Sequence, residues 1–201
     1  FWHTSAHVLA QAVKRLYPDV KCAIGPAIDK GFYYDFDFSF PFGEEHLASV
    51  EAEMKKIVNE SLALQVYEIN REEALAYMKE QGEDYKVEMI ENLPEGESIS
   101  FYKQGEYAEF CAGPHIANTC HIKAFKLLSV AGAYWHGDEN NKMLTRIYGI
   151  SFPKVSELEA YLKMLEEAKA RDHRKLGKEL ELFTIFDQGP GLPVFLPKGL
   201  I

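Results

Sequence analysis

The chain has 201 residues, 47% apolar and 26% charged, the balance of one well-buried globular domain with a possible appendage. No apolar run approaches the ~20 residues that span a bilayer, which excludes a transmembrane helix, and the start Phe1-Trp2-His3 has neither an initiator Met nor the layout of a signal peptide, as expected of a piece trimmed from something larger. A net charge of −9 argues against gripping nucleic acid by bulk electrostatics, while leaving room for a local hold on a single-stranded end.

Residues 2–17 carry Ala6, Leu9, Ala10, Val13 and Leu16 at helical spacing, and Pro18 closes the run. Ala23-Ile24-Gly25-Pro26 reads as a turn or bulge. Residues 32–40 alternate aromatics with acids and predict a strand. Residues 44–60 predict an amphipathic helix with Leu47, Val50, Met54 and Ile57 on one side. Residues 62–69 read as a strand and 71–79 as a short helix ending near Gly82. Residues 85–90 and 99–102 read as strands, as do 126–130 and 143–150, the last two separated by hairpin material at 137–141. Strands and helices mix without a βαβ rhythm, which points to an α+β fold with an antiparallel sheet. After Pro153 the character changes. Ser156 with Glu159 has a capping-box pattern, and 156–178 predicts a connecting helix. One domain is therefore expected at 1–155, followed by a linker helix at 156–178 and the start of a further region at 179–201.

The chemistry concentrates in two pairs. His3 and His7 lie four apart on a predicted helix, so both imidazoles face one side. Cys111 and His115 bracket Ala112-Gly113-Pro114, a tight turn. Two histidines from a helix and a Cys-His pair from a turn suit a tetrahedral zinc ion, and suit equally a metal-free cluster that positions a water. The three cysteines, Cys22, Cys111 and Cys120, show no regular spacing, which fits a reducing compartment better than a disulfide framework. His46, His121, His136 and His173 have no partner at ligand spacing and read as surface residues.

His3-Thr4-Ser5-Ala6-His7, Ile24-Gly25-Pro26, Gly31-Phe32-Tyr33-Tyr34-Asp35, Cys111-Ala112-Gly113-Pro114-His115, Ala131-Gly132-Ala133-Tyr134-Trp135 and Arg146-Ile147-Tyr148-Gly149 occur in this order. The series resembles the editing domain of bacterial threonyl-tRNA synthetases, over essentially the whole chain. Alanyl-tRNA synthetases and stand-alone editing proteins share only the two paired motifs. The resemblance implies a piece of a longer, cytoplasmic enzyme. The linker helix would lead into a class II catalytic core that lies beyond residue 201 and uses ATP, Mg and a zinc ion. No aminoacylation is expected from this stretch alone, and no cofactor is expected within it. The stretch alone should be a monomer, whereas full-length relatives form homodimers through the absent core.

The implied reaction is proofreading. Threonine and serine differ by one methyl group, which a pocket discriminates by only ~1–3 kcal/mol, so a second site hydrolyses the mischarged product. The implied partner is threonine tRNA, whose 3′ acceptor end carries the wrongly attached serine. By resemblance, His3, His7, Lys86, Cys111 and His115 carry catalysis, and Tyr34, Asp35 and Glu109 bind substrate. Lys86 would support developing negative charge, and Glu109 would hold the seryl amino group. No metal is implied there, although the alanyl relatives suggest a zinc-dependent alternative. The chain departs from the pattern twice: Glu109 stands where Asp is usual, and Ala112 where Arg is usual. Those departures leave open a decayed, non-catalytic tRNA-binding module, and the helix over 156–178 leaves open a spacer that holds the missing core. Lys123, Lys126, Lys142 and Arg146 flank the expected hairpin and are candidates for tracking the tRNA 3′ strand.

Overall fold

Helix α1 (Trp2–Leu16) is buried on nearly every side from Thr4 to Val13, because it lies between a second helix and a sheet. The computed structural model describes residues 1–186 and 192–200. The remaining elements of the first unit, Phe1–Val155, are short strands β1 (Lys21–Cys22) and β2 (Ala27–Ile28), strand β3 (Gly31–Asp37), and helix α2 (Leu47–Asn59). Then come β4 (Leu64–Ile69), α3 (Arg71–Glu80), α4 (Asp84–Glu91), β5 (Ile99–Gln104), β6 (Tyr107–Phe110), β7 (Ala124–Tyr134) and β8 (Met143–Phe152).

Two antiparallel sheets organise this unit. The larger runs β1-β3-β8-β7, with β2 also paired to β3, and the smaller is the meander β4-β5-β6. The α+β, antiparallel reading of the sequence therefore holds. Alternation along β3 sends Phe32, Tyr34 and Phe36 inward against Leu9 and Val13 of α1 and Val50, Met54 and Ile57 of α2. Each such side chain contributes roughly 1.5–3 kcal/mol on burial. Tyr33 and Asp35 consequently face the other side of the sheet. The small sheet has its own core, in which Phe101 and Ile99 pack on Ala74, Met78 and Ile90 of α3 and α4.

Two expectations fail locally. Residues 85–90, read as a strand, form most of α4. Over six residues Tyr85, Val87 and Met89 satisfy the period of a strand, but Lys86 with Ile90 and Tyr85 with Met89 equally satisfy the i,i+4 spacing of a helix. Tertiary burial of Lys86 and Ile90 decides for the helix. The strand β6 was not foreseen.

The second unit begins at Ser156. Its helical stretch is broken in two, α5 (Val155–Ala170) and α6 (His173–Glu179), rather than one helix over 156–178. Asp172 is the cause, because its carboxylate accepts from the Arg174 amide and caps a new helix. Ser156 lies within the first turn of α5 rather than at its cap. Strands β9 (Phe183–Ile185) and β10 (Pro193–Phe195) then pair antiparallel. The Gly-Pro stretch of the sequence at 189–191 lies outside the described residues. Among the described residues, no helix is long and apolar enough to cross a membrane.

Candidate functional site

The first turn of α1 is pinned to β8: the Trp2 indole N–H donates to the Ser151 carbonyl at 2.8 Å, and the Ser5 and Ser151 hydroxyls meet at 2.6 Å in the interior. That fixes His3 and His7 one turn apart, facing the meander sheet. Their ring centroids lie 5.2 Å apart, and the His115 ring sits 4.2 Å from His3 and 4.1 Å from His7. The Cys111 Sγ is 3.2 Å from His3 Nε2 and 3.3 Å from His115 Nε2, and it accepts from the Gly113 amide at 3.3 Å. The two pairs recognised in the sequence, more than a hundred residues apart, thus form one cluster.

A second group lies directly behind His7. Strand β6 alternates Tyr107, Glu109 and then Cys111 onto the face that meets α1. Glu109 is only 4% exposed, and both of its carboxylate oxygens are engaged. Oε1 accepts from the Tyr34 hydroxyl and from Lys86 Nζ at 2.5 Å. Oε2 accepts from the Tyr107 hydroxyl at 2.9 Å and lies 3.3 Å from His7 Nε2. Lys86, also 4% exposed, reaches this carboxylate from α4 and lies 5.8 Å from the Tyr34 ring centre. An ionised carboxylate only accepts, so the single proton of a neutral His7 sits on Nε2. Its Nδ1 is buried without a hydrogen-bond partner.

Electrostatics follow from enclosure. Burial pushes the Glu109 carboxyl up, but adjacent His7 and Lys86 and the hydrogen bonds from Lys86 and Tyr34 outweigh it and bring it down to about 2. Burial, aided by His3 and Lys86, lowers His7 to about 4 despite Glu109. Burial and the neighbouring His7 and His3 lower His115 to about 2. Burial also lowers His3 against the pull of Glu109, and it raises the Cys111 thiol to about 11. At neutral pH the site is therefore three neutral imidazoles and a thiol beside one buried Lys86–Glu109 ion pair. Such a group can orient a water and exchange protons without carrying net charge.

The same donors suit a metal. The ligand atoms of His3, His7, Cys111 and His115 all lie within 4.8 Å of one another. The Sγ–N separations of 3.2 and 3.3 Å compare well with those of a tetrahedral ion bonded at ~2.0–2.3 Å. His115 Nδ1 meets Thr4 Oγ1 at 3.1 Å and His7 meets Glu109, the outer contacts that orient metal-binding imidazoles.

Of the expected site residues, His3, His7, Tyr34, Lys86, Glu109, Cys111 and His115 come together. Asp35 does not: it sits on the opposite face of the sheet, paired through both oxygens to Arg146 at 2.7 and 2.8 Å. Three of the four cations proposed to track nucleic acid are already engaged: Lys126 with Glu51, Lys142 with Asp37 and Arg146 with Asp35. Lys123 is exposed. His136, read as a surface residue, bonds Glu88 at 2.8 Å, and His46 stacks on Phe42 at 4.8 Å between ring centres. Tyr107, Thr4 and Tyr102, whose ring packs 4.3 Å from His115, do not stand out in the sequence. The alternation Tyr107-Ala108-Glu109-Phe110-Cys111 was the one available signal for Tyr107. Gly25 explains the Ile24-Gly25-Pro26 phrase: a Cβ there would lie 2.1 Å from the Tyr34 ring.

Residues 99–148 match the family described as threonyl and alanyl tRNA synthetase second additional domain, a stretch that includes Glu109, Cys111 and His115. The chain is 67% identical over 199 residues to the threonine–tRNA ligase of Clostridium tetani, covering 99% of this chain and 31% of that ligase. It is 65% identical over 201 residues to the ligase of Caldanaerobacter subterraneus subsp. tengcongensis, covering 100% of this chain and 31% of that relative. The chain thus spans about a third of the length of these relatives. Along its whole length the chain is similar to a stretch of threonine–tRNA ligases, and residues 99–148 match the second additional domain of the threonyl and alanyl enzymes.

Proposed function

We propose that this chain hydrolyses the ester joining serine to the 3′ adenosine of threonine tRNA. The observation that carries the reading is the convergence of His3, His7, Cys111 and His115 against a buried Lys86–Glu109 pair. Ester hydrolysis needs an oriented water, somewhere for its proton to go, and support for the oxyanion. His3, half-buried at the rim beside Cys111 and His115, is assigned to the water; a neutral imidazole there has a lone pair to take a proton. Lys86 is the one cation of the group and supports the developing negative charge. Glu109 was expected to hold the seryl amino group, but its oxygens already serve four donors. It acts instead through its neighbours, fixing Lys86 and the tautomer of His7.

The partner is the mischarged 3′ end of threonine tRNA, read locally because the chain as a whole is acidic. The single-stranded end can enter where His3, Cys111 and His115 are half exposed.

The convergence of donors also favours a second reading, in which the four ligands hold zinc. A bound zinc would act there as a Lewis acid on the ester carbonyl. Thr4 and Glu109 would then orient His115 and His7.

Deacylation of Ser-tRNA and Thr-tRNA, both on threonine tRNA, tests the main reading. Rapid loss of serine but not threonine is expected, abolished in a His3→Ala/His7→Ala double mutant. Equal stability of the two esters would refute the proposal. Loss of activity on treatment with a chelator, restored by zinc, would decide for the second reading.

A further inference from the structure

The phrase Ala131-Gly132-Ala133-Tyr134-Trp135 has no part in the cluster, yet the structure connects it to Lys86. Helix α4, which carries Lys86, has only eight residues and no side-chain cap at its start. A two-turn helix does not hold itself together in water, so tertiary contacts set its position. Lys86 and Ile90 form its buried face. Glu88 lies two residues on, roughly 200° around the axis and so on the opposite side. There its Oε2 accepts from the Trp135 indole N–H at 3.1 Å, and its Oε1 meets His136 Nε2 at 2.8 Å.

Trp135 and His136 form the tip of the β7–β8 hairpin. His136 takes a left-handed backbone conformation, φ 56°, followed by Gly137 at φ 70°. The Trp135 ring packs against Tyr85 at 5.0 Å between centres, within a small apolar cluster with Met89, Ala23 and Leu144. Tyr85 in turn donates to Asp37 at 2.8 Å, and Asp37 also takes Lys142 at 2.7 Å. The helix is therefore gripped on both sides, by Glu109 through Lys86 within and by the hairpin tip through Glu88 without.

We propose that Trp135 and His136 are positioning residues for Lys86, holding α4 through Glu88 so that it neither rolls nor lifts and the ammonium stays at the reacting ester. The role of Lys86 in this statement rests on the hydrolase reading above; the grip on α4 does not. A displacement of about 1 Å at a catalytic group lowers turnover by as much as ~100-fold, so a loosened helix is felt in kcat.

Two measurements test the proposal. In the deacylation assay, Trp135→Phe, which keeps the ring and loses the N–H, and His136→Ala should each lower kcat roughly 5- to 20-fold with KM unchanged. In a Lys86→Ala background the same changes should have no further effect, because they act through Lys86. A loss that persists in that background would mark a general structural role and overturn the proposal. If Lys86→Ala itself leaves serine hydrolysis intact, the hydrolase reading of Lys86 fails. Amide hydrogen exchange then still judges the grip, with faster exchange expected across residues 84–91 in both variants and none across 71–80. Unchanged exchange in 84–91 would overturn it without reference to activity.

Discussion

Glu109 is the residue on which the site turns. One carboxylate takes two tyrosine hydroxyls, an ammonium and an imidazole, so four side chains from α1, β3, α4 and β6 share a single anchor. Breaking a buried pair of this kind strands a charge, which is why the Glu109–Lys86 pair should be judged as a unit. The imidazoles give the site a pH signature. His7 and His115 are held well below their ordinary 6.5, at about 4 and about 2. Between roughly pH 4 and 6.5 the unfolded chain binds protons that the folded chain refuses, so stability rises with pH through that window and is complete above it. Below 4.5 the depressed Glu109 adds a further loss in the same direction. The unfolding free energy from urea titration, measured with chelator present, should fall as pH drops from 7 to 5, by roughly 2 kcal/mol for fully buried His7 and by less for half-exposed His115. A flat profile would contradict a neutral cluster.

Among the elements, the short pieces matter most, and they are where the sequence was hardest to read. The helix α1 and strand β3 announced themselves by long, regular periodicity. The four ligand-type residues announced themselves by two i,i+4 pairs. Helix α4 spans too few residues for its period to be unambiguous, so Lys86 was placed on a strand although its proximity to the site was anticipated by resemblance. Tyr107 gave only a weak signal because four-residue β6 carries just two inward positions before the turn. Asp35 was misplaced for a simpler reason: its neighbour Tyr34 faces the core, and adjacent strand residues cannot share a face. The irregular stretch between β1 and β2 is tested through Gly25. A Gly25→Ala substitution puts a methyl 2.1 Å from Tyr34 Cδ2, and the ring must move. Its hydroxyl then leaves Glu109. A destabilisation of about 1–3 kcal/mol is expected in urea unfolding, together with slower serine release. A variant as stable and active as the parent would show that Tyr34 has room to adapt.

For the whole molecule, the division at Val155 and Ser156 predicts that the first unit stands by itself. Every residue of the candidate site lies within it, and so do its three apolar cores. A chain of residues 1–155 should therefore unfold cooperatively, with a thermal midpoint within a few degrees of the 201-residue chain, and should retain serine-specific deacylation. Aggregation or loss of the transition would show that the second unit completes the first.

The order of strands in the larger sheet bears on how this site comes into being during synthesis. Strand β8 is the last to leave the ribosome, yet it sits in the middle, between β3 and β7, and also pins the first turn of α1 through Ser151. Until residue 152 has emerged, the first turn of α1 lacks its tie to Ser151 and β3 has one open edge. The larger sheet then closes through β3–β8 contacts separated by more than a hundred residues, a topology that folds slowly. The nascent chain consequently carries one edge of aromatic β3 unpaired until β8 emerges. That interval makes the unfinished protein a natural client for chaperones.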